Sequence, residues 1–190
     1  DFNFMREKEI VRLQEELVCG TYRHGAYRRF IVREPKRREI AAAPFRDRVV
    51  HHAVHDIIEP YFDMRFIYDS YACRQDKGTH RAVRRAEQFL RANRYYFHGD
   101  IRAYFKSINR GILKTLLAKR IGDARLMLIL EQIIDSFPQA GLPIGNLTSQ
   151  FFANLYLHEL DMFVKHRLHI RYYLRYMDCL LYTSPSPRDR

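Results

Sequence analysis

Ile10, Leu13 and Leu17 recur at helical spacing, and Gly20 follows as a stop signal, so a helix is predicted near the start of the chain. The pattern then changes to strands. Tyr27 to Val32 and Arg37 to Ala42 read as two strands joined by a turn at Arg33-Glu34-Pro35-Lys36. Asp47 is placed to cap a helix in which Val50, Ala53, Val54, Ile57 and Tyr61 form one apolar stripe. Thr79 to Ala92 reads as a further helix, with Val83, Ala86, Phe89 and Leu90 inward. A strand is predicted from Tyr95 to Ile101. Asn109 caps a helix carrying Ile112, Leu116 and Leu117, and a more apolar helix runs from Ala124 to Phe137. Pro138 and Gly141 open a loop. After it, Ser149 to Leu168 forms a long helix with Phe152, Leu155, Tyr156, Leu160 and Phe163 inward, and His169 to Met177 is strand-like. The expected class is α+β, with no internal repeat and no linker between independent cores.

Length allows one good core or two small subdomains in 190 residues. Charge narrows the partners. The net charge is +11, and from Thr21 to Arg48 nine Lys or Arg stand against three Asp or Glu, interleaved with Tyr22, Tyr27, Phe30 and Phe45. Such a stretch attracts phosphates, and arginine forks grip them bidentately. A solvated basic face is the plainer alternative. Cys19, Cys73 and Cys179 form neither a CxxC pair nor an even framework, which argues against a structural zinc or a disulfide scaffold. His51, His55 and Glu59 share metal-ligand spacing on a helix but are read as a helix surface. No run is long enough to span a membrane and no signal peptide is visible, so cytoplasmic localisation is expected.

Two carboxylates carry the candidate chemistry. Asp100 closes Tyr95-Tyr96-Phe97-His98-Gly99-Asp100, and Asp178 closes Tyr172-Tyr173-Leu174-Arg175-Tyr176-Met177-Asp178. An Asp that follows a strand is commonly a turn or cap residue. It is also placed to leave a sheet edge and reach a metal, and two such residues suit magnesium, which favours oxygen ligands. Between them lies Gly141-Leu142-Pro143-Ile144-Gly145-Asn146-Leu147-Thr148-Ser149-Gln150. Upstream lie Pro35-Lys36-Arg37-Arg38-Glu39-Ile40, Pro44-Phe45-Arg46-Asp47-Arg48 and Ser70-Tyr71-Ala72-Cys73-Arg74. In that order, from about Leu17 to Asp178, these blocks resemble the fingers and palm of a reverse transcriptase.

The resemblance implies a right-hand polymerase fold with fingers and a partial palm, an antiparallel palm sheet backed by helices, and no thumb. Residues 1–94 would be a fingers-like region with the N-terminal helix, and 95–178 a partial palm. It implies RNA-directed DNA polymerisation with two Mg2+ ions, held by Asp100, the carbonyl of Ile101 and Asp178. Arg38 matches the arginine that grips the triphosphate, with Arg46 and Lys36 assisting. Lys36, Arg37 and Arg74 would contact nucleic acid, although an Arg74 salt bridge within the fingers is an equal alternative. Phe105 matches the steric gate beneath the incoming sugar, with a core aromatic as its alternative. Ile144, Gly145 and Gln150 belong to the block that approaches the nucleotide. The partners implied are an RNA template, a DNA or RNA primer, deoxynucleoside triphosphates and a basic accessory protein, with no membrane.

Two departures qualify this. Reverse transcriptases generally carry Gln-Gly-x-x-x-Ser-Pro where this chain has Ile144-Gly145-Asn146-Leu147-Thr148-Ser149-Gln150, which resembles the diversity-generating retroelement subgroup. Retron, group II intron and phage-defence enzymes are the alternatives. The family's second Asp is replaced by Cys179, so the chain as written is expected to be inactive, and a catalytically dead nucleic-acid-binding module is the rival from another class. Residues 179–190 read as a translated sequencing adapter, truncating the chain after the first motif Asp, with a genuine Pro/Ser-rich tail as the alternative.

Overall fold

The computed structural model describes residues 6–33 and 37–184. Its elements are α1 (Arg6–Val18), β1 (Arg28–Val32), β2 (Arg38–Ala42), α2 (Phe45–Asp63), α3 (Thr79–Ala92), β3 (Tyr95–Asp100), α4 (Tyr104–Ser107), α5 (Arg110–Ala118), α6 (Ala124–Asp135), α7 (Leu147–His166), β4 (Tyr173–Tyr176) and β5 (Cys179–Ser184). Helices and antiparallel strands are mixed, as expected. Two compact units emerge, Asp1–Ile58 with Phe105–Gln150, and Glu59–Tyr104 with Phe151–Arg190. Each draws on two separated stretches, so the units cut across the division expected at residue 94. No helix among the described residues is long and apolar enough to cross a membrane.

In the first unit, Gly20 ends α1 in the left-handed region at φ 69°, and Leu13 is the buried residue of the α1 stripe. β1 and β2 pair from Arg28↔Ala42 to Val32↔Arg38. Residues 34–36, and with them Lys36, lie outside the described residues. Asn109 and Asp123 cap α5 and α6, accepting from the backbone N–H groups of Ile112 and Leu126. Asp47 does not cap α2, because the helix begins two residues earlier. Its buried carboxylate instead accepts the Tyr22 hydroxyl (2.7 Å) and the Gly25 N–H (3.0 Å), which fixes the chain between α1 and β1.

α2 buries Val50 and Val54 as expected, but its inward face is turned away from Ile57. Val50, Val54 and Ile58 are inside with His51, while Ile57 is 66% exposed. The reading of His51 as helix surface is therefore wrong. Its Nδ1 meets the Thr148 hydroxyl at 3.1 Å and its Nε2 meets His24 Nε2 at 3.1 Å. Two hydrogen-bond partners satisfy a ring that its apolar neighbours draw inward.

The second unit holds a three-stranded antiparallel sheet in the order β3-β5-β4. β5 pairs on one side from Tyr95↔Ser184 to Asp100↔Cys179, and on the other from Tyr173↔Tyr182 to Tyr176↔Cys179. Cys179–Ser184, part of the stretch that reads as a translated adapter, form the central strand. Leu181 and Thr183 alternate into the interior, and this period of two was overlooked beside the Pro/Ser run that follows. α3 lays Ala82 and Phe89 against Leu174, with Tyr172 and Tyr176 packed around them. On the α7 side, Val164, Tyr173 and Ile67 form a further cluster.

Candidate active site

The β4–β5 hairpin has a two-residue turn, Met177-Asp178, which projects Asp178 at the sheet end. Met177 has φ 55°, a conformation that costs a residue with a Cβ about 1–2 kcal/mol. The neighbouring strand holds it there, since Arg175 Nη1 donates to the Met177 carbonyl at 3.0 Å. Asp100 ends β3 directly opposite Cys179, and the Ile101 N–H donates to the Asp178 carbonyl at 3.1 Å. Asp100, Ile101 and Asp178 therefore meet at one end of one sheet. The Cys179 Sγ lies among them, 2.9 Å from His98 Nε2. Burial, with the Asp100 and Asp178 charges adding to it, pushes the Cys179 thiol up from its usual range, so it stays protonated near neutrality.

The donor set fits one hard cation better than two. Asp100, Asp178 and the Ile101 carbonyl offer oxygens, whereas a protonated thiol stands where a third carboxylate would be needed. Among the described residues, no group of three or more His, Cys, Asp or Glu side chains is arranged to hold a metal.

The residues expected at the nucleotide belong to the first unit. Ile144-Gly145-Asn146 runs along β2, where the Ala41 N–H donates to the Ile144 carbonyl (2.9 Å). Asn146 completes the pairing from its side chain, accepting from the Ala43 N–H (3.1 Å) and donating to the Ala41 carbonyl (2.9 Å). Gly145 has φ 116°, and a Cβ there would sit 2.6 Å from Ile40 Cγ2. Ile144, half-buried, and Gly145, exposed, lie in the loop beside β2, which begins with the exposed Arg38, and Gln150 is half-buried in α7. Phe105, also half-buried, sits in α4, and its carbonyl accepts the Leu142 N–H at 2.8 Å. The motif loop and α4 are thereby fastened together.

Arg74 gives its fork to the Asp63 carboxylate and donates to the carbonyls of Asp63, Ile67 and Ser70, the internal salt bridge named as its alternative. Arg46 is bonded to Glu16 of α1 and lies over the Tyr22 ring. Arg37 is exposed beside β2.

Sequence reasoning missed the group that holds the Asp178 hairpin. Arg175, fully buried on β4, pairs with both Asp161 oxygens of α7 and with Asn154, while the Tyr173 hydroxyl donates to the same Asp161 at 2.7 Å. The available signal was an arginine inside an apolar strand, with Asn154 and Asp161 seven apart on one long helix face.

No family model matches the chain. Protein YkfC of Escherichia coli K12 is 29% identical over 175 residues, covering 84% of this chain and 46% of that protein. The group II intron-encoded protein LtrA of Lactococcus lactis subsp. cremoris is 28% identical over 174 residues, covering 83% of this chain and 28% of that protein. The similarity to these proteins supports the reverse transcriptase family. A solved Cas6-RT-Cas1–Cas2 partial complex shares the fold, with a TM-score of 0.56 and 21% identity over 95% of this chain and 33% of that one. The chain spans less than half the length of these curated relatives. The matches carry the family and not the diversity-generating subgroup in particular.

Proposed function

We propose that this chain supplies the fingers and palm of an RNA-directed DNA polymerase, residues 1–94 and 95–178 respectively, joining deoxynucleotides to a primer on an RNA template. The observation that carries the reading is the meeting of Asp100, Ile101 and Asp178 at one sheet end, in a chain of this family. Magnesium, held by these three residues, would neutralise charge on the reacting phosphate oxygens. The chain's own groups do the rest. Arg38, exposed at the start of β2, holds the triphosphate by charge-assisted hydrogen bonds. Phe105 excludes a 2′-hydroxyl beneath the sugar. Ile144 meets the nucleotide with an apolar surface, which offers no hydrogen bond to reward a correct pair. This last property supports error-prone copying of the diversity-generating kind. The intron-encoded relatives support a group II intron origin instead, and the two predict different fidelity. A basic accessory protein and a cytoplasmic setting complete the reading.

Cys179 limits the activity of the chain as it stands. Restoring a carboxylate with Cys179→Asp is expected to raise affinity for Mn2+, used as a magnetic stand-in for Mg2+, and Asp100→Asn is expected to abolish the gain. Magnesium-dependent primer extension on RNA should follow the same order in a protein that also carries a thumb. Equal Mn2+ binding with and without Asp100 would end the proposal. In the extending protein, Ile144→Gln should lower misincorporation opposite template adenines, and an unchanged error rate would favour the intron reading.

A further inference from the structure

A second site of different chemistry lies on the same unit as the paired carboxylates. A cavity of about 390 Å³ opens between α3 and the 68–77 loop, lined in part by Tyr68, Lys77, Arg81, Arg84 and Arg85. The opposite face of α3 is packed on Leu174 and Tyr176, so the helix turns its basic face to this cavity. Arg85 is neutralised there, with Nε and Nη2 on Asp69 and Nη1 on Gln88. Lys77 and Arg81 instead meet carbonyl groups. Lys77 Nζ donates to the Tyr68 carbonyl at 2.8 Å and lies 3.6 Å from the Tyr68 ring centre. Arg81 donates one nitrogen to the Asp76 carbonyl, and Arg84 is exposed. Burial, with Arg74 and Arg81 adding to it, depresses the Lys77 ammonium below its ordinary value, as crowded positive charge does.

The aromatic lining narrows the ligand. Tyr68 has Lys77 against its ring, yet stays 71% exposed, enough to receive a flat partner. Arginine forks suit a phosphodiester, and an exposed ring beside them suits a base, the pairing that single-stranded nucleic acid uses. An acidic peptide would use the charges and leave the ring without a role. We propose that this cavity binds a single-stranded nucleic acid, with one phosphodiester on Arg81 and Arg84 and the adjoining base on Tyr68. The site needs no metal and does not rest on the polymerase reading.

Binding of a labelled single-stranded RNA twelve-mer, followed by fluorescence anisotropy in EDTA, tests it. Arg81→Ala with Arg84→Ala should weaken binding about tenfold and lower the salt slope by about 0.7, the share of one phosphate contact on a single strand. Lys119→Ala with Arg120→Ala removes equal charge from the exposed end of α5 and should change affinity less than about twofold. Tyr68→Ala should cost about fivefold or more, and Tyr68→Phe should restore binding because the ring remains. Should the double alanine variant melt early, Arg81→Gln with Arg84→Gln serves in its place. Equal losses in the two double variants, or indifference to Tyr68→Ala, would overturn the proposal. So would a polyglutamate peptide or inorganic phosphate binding as tightly as the RNA with the same dependence on Arg81 and Arg84.

Discussion

At His51, both ring nitrogens are committed to the neutral form, one facing Thr148 and the other His24. His24 Nδ1 lies 2.6 Å from the Gly25 carbonyl, so its Nε2 is left to accept from His51. Burial first, then the neighbouring His24, lowers the His51 pKa from 6.5 to about 4, against an opposing pull from Asp47. The unfolded chain therefore binds the proton more readily. Stability is fully present above pH 6.5, falls as pH drops towards 4, and levels off below that. The loss is on the order of 3 kcal/mol. Urea midpoints at pH 7 and pH 4.5 should differ by less in His51→Gln than in the parent, and equal differences would refute the assignment. Gly141 gives a second residue-scale test. It has φ 74°, and a Cβ there would lie 2.1 Å from the Phe105 carbonyl oxygen, whereas Gly20, also at positive φ, has open space around it. Gly141→Ala should cost roughly 2–4 kcal/mol and Gly20→Ala about 1. Comparable losses at both, measured by urea unfolding, would show that backbone strain alone decides.

Among the elements, the buried Arg175–Asp161 pair fastens β4 to α7. Arg175→Met leaves the Asp161 carboxylate buried without its cation and should cost about 3–5 kcal/mol. Adding Asp161→Leu should recover much of that, and a double-mutant cycle in which the two losses simply add would contradict the coupling. The helices and strands other than α4 and β5 were legible, because apolar residues recur strongly at both periods. α3 begins and ends at the expected residues, and β1 and β2 pair with each other. The inward faces were legible only to within one residue. Phe89 is buried as expected, but Ala82 is inside and Val83 is 51% exposed, and Leu113 is inside where Ile112 was expected. Where apolar residues stand side by side, spacing cannot choose between adjacent rotations of a helix, and the neighbouring elements choose. Asp100 and Asp178 were legible because each ends an aromatic run. Arg175 was not, because its partner lies 14 residues away on another element.

On the scale of the whole molecule, neither unit is continuous in sequence. A chain cut after residue 94 would lose the Asn146 amide that completes β2 and the Thr148 hydroxyl that meets His51. Residues 1–94 alone should therefore show no cooperative thermal transition by circular dichroism, while the 190-residue chain should show one. A sharp transition in the short piece would contradict the interleaving. The central place of β5 governs timing as well as architecture. β3 and β4 do not touch each other in the sheet, and the strand that pairs with both is the last of the described elements to be made. During synthesis, β3 must wait some eighty residues for its partner, with the backbone N–H and C=O groups of its pairing edge unmatched. The growing chain should thus be a chaperone client until Ser184 clears the ribosome, and aggregation during translation should fall when that stretch is shielded.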